Sequence, residues 1–371
     1  MKLLTGEIKP HELKAGGADI QVTEDAGGLV SRLLNMPGTP TLDLSVQGAG
    51  PVHDFIAKLK LATDGVDRVR GQVALSGVGD AEGPNQTIGF SGQVDGDLRP
   101  LMAEDFHAFF GLRSEINLVG QRMANGQLDV SSLQLGTDAV NLTGSLALTS
   151  QSEVARLNLD LALEQAEGGP ITLPVSGGTT RVRAVTAKAR FDAAQGPGWA
   201  LSAQLDGFAQ PDLGLGNAKL DASGSYQPDQ AAPLSGTINA QLRGLRFSDA
   251  ALSKAVGRDA NLAGDFVLSQ GDNLRLNKMT LEASHVQAAL TAAITGLRKG
   301  FEVTGEVGLN IADLSQFEAL AGRPIAGALS AQLSGKAAPI GGTFDLQLTA
   351  TAQDLQAGQD MLDQLLIGQT D

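Results

Sequence analysis

The chain is 371 residues long, carries a formal net charge of −14 and contains no cysteine. The acidic balance disfavours nucleic acids and anionic lipid surfaces as partners of its outer face, and the lack of cysteine excludes disulfides, thiolate metal sites and a cysteine nucleophile. Because only 12 Phe, one Trp and one Tyr are present, bulky side chains for a thick core are scarce, and a thin apolar layer is expected.

The first residues of the chain do not show the pattern expected of a targeting signal. Residues Met1–Lys14 are interrupted by Glu7, Lys9, Pro10 and Glu12, and no stretch approaches the roughly 18 consecutive apolar residues of a spanning helix. We therefore expect neither a signal peptide nor a membrane anchor here. Both ends have the character of an internal fragment of a longer protein.

Short segments in which every second residue is apolar recur along the sequence. In Arg156–Glu164, four leucines share one parity and polar residues occupy the other, which predicts a β-strand with one apolar face. Repetition of this pattern predicts a sheet with one continuous apolar side. By strand parity, the predicted lining of that side consists of Val140, Leu142, Leu146, Leu148, Leu157, Leu159, Leu161, Leu163, Leu201, Leu205, Leu220, Val286, Leu290, Ile294, Val303, Val307, Leu309, Leu329, Leu333, Phe344, Leu346 and Leu348.

Short helical patterns that end at a glycine separate groups of strands. They are predicted at Pro100–Gly111, at Ser248–Gly257, at Ser315–Gly322, where Ser315 and Glu318 form a capping-box pattern, and at Gly28–Gly38. The spacing of these stops indicates a repeating unit of about seventy residues, typical of an elongated array. The predicted modules are residues 1–38, 39–111, 112–257 (a double module), 258–322 and 323–371.

The sequence thus predicts an all-β protein: one elongated, repetitive, antiparallel sheet curled into an open hydrophobic trough, β-taco-like, with short helices at module boundaries. The same alternation also fits the inner face of a closed sandwich or barrel core. Scarce aromatic residues and the long repeat favour the open trough.

Three segments carry a family resemblance: Asp97–Leu118, Gly244–Leu268 and Asp313–Gly335. Their short helix, glycine stop and leucine-rich strand restart, within an acidic, glycine-rich chain, resemble the TamB and AsmA-like envelope proteins of Gram-negative bacteria. The resemblance implies a periplasmic protein, anchored in the inner membrane through parts outside this chain, that carries phospholipid acyl chains between the inner and outer membranes. It also implies cooperation with an outer-membrane barrel partner like TamA.

Other function classes receive less support. The four histidines, His11, His53, His107 and His285, are far apart and lack metal-binding spacing, so neither an enzyme nor a cofactor is expected. Two alternatives remain open. A passive β-solenoid spacer would bury its apolar face completely, and an assembly factor for outer-membrane or autotransporter proteins would offer strand edges to polypeptides.

Overall fold

The computed structural model describes residues 17–28, 31–32, 36–51, 53–78, 87–175, 179–271, 273–297, 300–338, 342–357 and 369–370. It comprises two compact units, Met1–Ala194 and Gln195–Asp371. The boundary falls inside the predicted double module 112–257. The prediction of an all-β, antiparallel architecture is confirmed.

The first unit is an antiparallel meander, in which each strand pairs with the next along the chain. A two-residue ladder, β10 with β11, lies in the connection between β9 and β12, and β9 pairs directly with β12. Among the described residues, β1 and β12 do not pair with each other, so the sheet is open. The strands are β1 (Ala18–Glu24), β2 (Leu42–Ala49), β3 (Asp54–Thr63), β4 (Val66–Val78), β5 (Thr87–Gly96), β6 (Ser114–Arg122), β7 (Leu128–Gly136), β8 (Val140–Leu148), β9 (Val154–Glu164), β10 (Ile171–Thr172), β11 (Arg181–Val182) and β12 (Ala184–Asp192).

The second unit repeats this meander. The short strands β16 and β23 pair with the beginning of β14 and the end of β22, and the long strands pair in chain order. The strands are β13 (Gly198–Ala209), β14 (Leu213–Tyr226), β15 (Leu234–Arg243), β16 (Arg246–Phe247), β17 (Asp259–Ser269), β18 (Asn273–Ala283), β19 (Gln287–Thr295), β20 (Glu302–Ile311), β21 (Ala326–Ala338), β22 (Thr343–Gln356) and β23 (Gln369–Thr370).

The helices are shorter than the sequence predicts. Instead of one helix over Pro100–Gly111, the chain forms two 3-10 turns and a single α-helical turn, because Met102 and Ala103 are extended. The capping box at Ser315 is also wrong, since Asp313 caps that segment and accepts from the Ser315 amide. The helical elements are the 3-10 turns Arg99–Leu101, Glu104–Phe106 and Leu314–Phe317, and the helices α1 (His107–Phe110), α2 (Ala250–Val256) and α3 (Glu318–Ala321).

Two further helix predictions have different outcomes. The helix predicted at Ser248–Gly257 forms as α2 and ends at Gly257 with φ of 87°, but its cap is Asp249. Of the helix predicted at Gly28–Gly38, Ser31 and Arg32 are helical, whereas Leu29, Leu33 and Leu34 lie outside the described residues.

All helical elements of a unit lie at the same end of its strands. Consecutive strands run in opposite directions, so every second connection returns to one end of the sheet. In the first unit, this end carries the connection that contains α1 and the connection that contains the β10–β11 ladder. In the second unit, it carries the connections that contain α2 and α3. We name this the helix-bearing end and the opposite one the turn-bearing end.

The buried core of each unit concentrates at the helix-bearing end. In the first unit Met36, Leu42, Val69 and Leu101 form a buried cluster, and Ile171 and its partner Val182 on β11 are fully buried. Among the described residues of the second unit, Ala255 on α2 is completely buried. The helices therefore close this end of the apolar layer, while the rest of each sheet has thinner cover.

Candidate functional site

The candidate site is the apolar face of each sheet. In an antiparallel ladder, directly paired residues point to the same side, so the register decides which strands share a face. In the first unit one row runs across five strands as Ile116, Leu135, Leu142, Leu161 and Ala187. An uninterrupted apolar row thus crosses β6 to β12.

The second unit has equivalent rows. One connects Leu290, Val307, Leu333 and Leu348 across β19 to β22. Neighbouring rows mix large and small residues; Leu220, for example, pairs with Ala203 on one side and Ala240 on the other. The face is continuous, but the side chains that form it differ in size from pair to pair.

The register places the predicted lining residues together. Those in β8 and β9 share the apolar face of the first unit, and those in β13, β14 and β19–β22 share that of the second. Val286 lies just before β19, and its carbonyl accepts from the Ala283 amide at 2.8 Å. The alternation within each single strand was therefore sufficient to assign the predicted lining residues to one face.

The lining residues predicted from the sequence do not include the N-terminal part of this face. Leu59, Leu61 and Val94 line it together with Ile116 and Leu135, and they follow the same alternation. Glycines at paired positions, such as Gly71 opposite Leu59, break up the leucine pattern in this region. The apolar alternation is therefore present in these strands but weaker than in β8 and β9.

The predicted lining residues are mostly half-buried. Val140 and Leu163, both at the helix-bearing end, are the buried members of the set. At the other extreme, Phe344 is 63% and Leu348 67% exposed on β22. The leucines in the middle of β8 and β9 lie between these limits.

The single tryptophan of the chain also lies on the apolar face. Trp199 pairs with Gly224, and its indole Nε1 donates to the carbonyl of Ser235 at 3.2 Å. Its ring lies 6.1 Å from that of Phe266 and occupies the space that a side chain at Gly236 would need. The indole is therefore held in one orientation.

The opposite face is polar and carries cross-strand ion pairs. Arg156 bonds Asp129 at 2.6 Å, and Arg190 bonds Asp160 at 2.7 Å. The side-chain hydrogen bonds from Lys60 and then Arg70 hold the pKa of Asp67 below its usual value. These charges mark the water-facing side of the sheet.

Shallow depressions lie on the polar face. One in the second unit has a volume of about 660 Å³ and is lined by Arg275, Glu306, Lys336 and Asp345 among other residues. Its charges are of both signs and belong to solvated strand positions.

The described part of the chain has neither a metal-binding cluster nor a membrane-spanning helix. There, no group of three or more His, Asp or Glu side chains is arranged to hold a metal ion. In the same residues, no helix is long and apolar enough to cross a bilayer. Comparison of the sequence and fold with protein-family models, curated proteins and solved structures found no match.

Proposed function

We propose that the apolar face binds phospholipid acyl chains and conveys them between membranes, as part of a TamB or AsmA-like protein of the Gram-negative periplasm. Outer-membrane biogenesis is the process that such a bridge serves. The observation that carries the proposal is a continuous apolar face whose mid-strand residues, such as Leu159 and Leu161, are only half-buried.

The energetics favour a hydrocarbon guest. A face sealed by a second packed layer has its mid-strand leucines buried, and burial of each further CH₂ group contributes about 0.8 kcal/mol. Half-buried leucines leave part of that free energy available to an acyl chain. A curled sheet would hold the chain against its lining while the headgroup stays in water.

Repetition of the rows supports movement along the sheet. Apolar residues recur at paired positions from strand to strand, although they differ in size, so a guest finds apolar contact at successive positions along the sheet. A guest bound favourably but nearly equally at many sites moves between them readily, as ions do in multi-site pores. Closure at the helix-bearing end leaves the turn-bearing end for entry and for the headgroup.

An assembly factor for outer-membrane proteins is the second candidate. It is favoured by β22, whose residues 343–350 pair with β21 on one side and with no other described strand on the other. An exposed edge of this length pairs readily with an extended polypeptide. A barrel partner like TamA belongs to this proposal.

Trp199 allows a direct test of the lipid proposal. Protein stripped of lipid is mixed with phospholipids that carry bromine on their acyl chains, and the quenching of tryptophan fluorescence is measured. We expect saturable quenching, because the indole lies on the apolar face. The matched control is W199F/A200W, which moves the fluorophore to the exposed neighbouring position on the polar face and should be quenched little.

The outcomes separate the candidates. Equal quenching of both proteins, or none of either, contradicts acyl binding on the apolar face. No quenching, together with no binding of a hydrophobic dye, is the result expected of a passive spacer. Crosslinking from β22 to unfolded barrel protein, without lipid adducts, favours the assembly factor.

A further inference from the structure

One basic side chain of the first unit has an unusual position. Arg122 is the last residue of β6, at the turn-bearing end, and its Cα partners are Ile88 on β5 and Leu128 on β7. It therefore has the parity of the apolar face. The other Lys and Arg residues at described paired positions of β2–β9 and β12 have the parity of the polar face.

Arg122 also differs from these residues in its contacts. Arg156 and Arg190 are neutralised by Asp129 and Asp160 across the ladder. Arg122 is exposed and makes no side-chain hydrogen bond or ion pair within the described residues. Its guanidinium is thus a positive charge beside an apolar surface, in a chain whose net charge is −14.

The residues beside Arg122 determine where its guanidinium lies. Ile88 and Leu128 flank Arg122 on both neighbouring strands and are half-buried. The aliphatic part of an arginine packs along such residues while the guanidinium stays in water. This places five N–H donors at the boundary between the apolar face and the solvent.

We propose that Arg122 binds the phosphate group of a phospholipid whose acyl chains lie on the apolar face of the first unit. The planar guanidinium matches a phosphate with two parallel hydrogen bonds, and charge-assisted bonds of this kind are among the stronger ones in proteins. The inference rests on the proposed lipid function and adds a headgroup chemistry and a position to it.

A competing role for Arg122 is to keep the end of the strand soluble. Charged residues commonly protect exposed apolar edges from association. In that role any cation or polar residue at the position serves equally, and lipids with and without a phosphate bind alike. Headgroup preference therefore distinguishes the two roles.

The test uses a photoreactive benzoylphenylalanine at Leu118, which lies on the apolar face of the same strand. The full chain is exposed to phosphatidic acid or to diacylglycerol with identical acyl chains, each in micelles of an uncharged sugar detergent. Adducts are counted by mass spectrometry in the otherwise unchanged protein, in R122Q, in R122K and in K58Q. Lys58 is an exposed cation of the polar face, so K58Q changes the net charge equally.

We expect R122Q to lower the phosphatidic acid adduct about tenfold, the effect of losing a hydrogen-bonded charge, and to leave the diacylglycerol adduct unchanged. R122K should retain part of the preference, and K58Q all of it. Millimolar inorganic phosphate should compete weakly, because it lacks the acyl chains.

Three results would overturn the proposal. If the ratio of phosphatidic acid adduct to diacylglycerol adduct is the same in R122Q as in the unchanged protein, Arg122 does not bind the headgroup. The proposed binding of acyl chains is then unaffected. If inorganic phosphate abolishes the preference, the site binds free anions instead of lipid. If neither lipid gives an adduct with any variant, the proposed lipid function fails, and this inference fails with it.

Discussion

Phe90 on β5 occupies the space that a side chain at its Cα partner Gly120 on β6 would fill: a Cβ at residue 120 would lie 2.6 Å from Cζ of the phenyl ring. The carbonyl oxygen of Asp129 would be equally close. One large side chain is therefore accommodated on the apolar face because its neighbour has none. In the second unit the ring of Trp199 occupies the space of a side chain at Gly236, which lies one strand beyond Gly224, the Cα partner of Trp199.

Substitution of this glycine should destabilise the first unit. G120A forces the new methyl group against a ring and a rigid backbone carbonyl, so we expect a loss of about 1–3 kcal/mol in the free energy of unfolding. Urea denaturation followed by circular dichroism measures it. The control is G92A on the neighbouring strand, where the new Cβ would lie 4.0 Å from its nearest neighbour, the Val73 side chain. Equal losses in the two variants would contradict the packing described for Phe90.

This pairing also shows which parts of the structure were accessible from the sequence. The shared face of Leu157, Leu159 and Leu161 follows from the two-residue period of a strand, which is a local property. The contact between Phe90 and Gly120 depends on the register of two strands, and local alternation does not determine register. Strand faces were therefore predictable, whereas their neighbours across the ladder were not.

The helices illustrate a second limit. Apolar spacing around Phe106, Phe109 and Phe110 fits one helix, yet extended backbone at Met102 and Ala103 divides the segment. In segments this short, a few contacts of the surrounding fold outweigh helical propensity. Here those contacts include the Thr137 hydroxyl, which donates to the carbonyl of Phe109 at 2.7 Å.

The Asp97–Arg99 pair should make stability depend on pH. Arg99 donates to both carboxylate oxygens, at 2.9 and 2.8 Å, and these bonds hold the pKa of Asp97 below 3.8. A carboxyl whose pKa is lowered by folding stabilises the fold above its unfolded pKa and loses that contribution as the pH falls through the folded one. We expect D97N to cost about 0.5–1 kcal/mol at neutral pH, since the pair is partly exposed.

The same difference should shrink as the pH falls below 3.8, where Asp97 itself becomes protonated. Thermal melts of D97N and the unchanged protein across this range measure the effect. D19N, which alters an exposed carboxylate on β1, serves as the control. A difference between D97N and the unchanged protein that stays constant from neutral to acidic pH would contradict a role for the ionised carboxylate.

The Asp249 cap of α2 should contribute to the stability of the second unit. The Asp249 carboxylate accepts from the amides of Ala251 at 2.7 Å and Leu252 at 3.1 Å. Loss of such a cap in D249A should cost about 1 kcal/mol. D249N keeps an acceptor oxygen and should recover most of the stability. Urea denaturation compares the two, and equal losses would mean that the charge, and not the cap, supports the helix.

Exposed apolar residues of β22 should account for much of the hydrophobic surface of the second unit. Leu346 is 52% and Leu348 67% exposed on the apolar face, and their neighbours Gln347 and Thr349 have the opposite parity. L346K/L348K should therefore lower the fluorescence of a bound hydrophobic dye and reduce self-association. Q347K/T349K adds the same charge to the same strand but should leave dye binding nearly unchanged. If both pairs reduce the signal equally, charge repulsion explains the effect, and the apolar face does not bind the dye at β22.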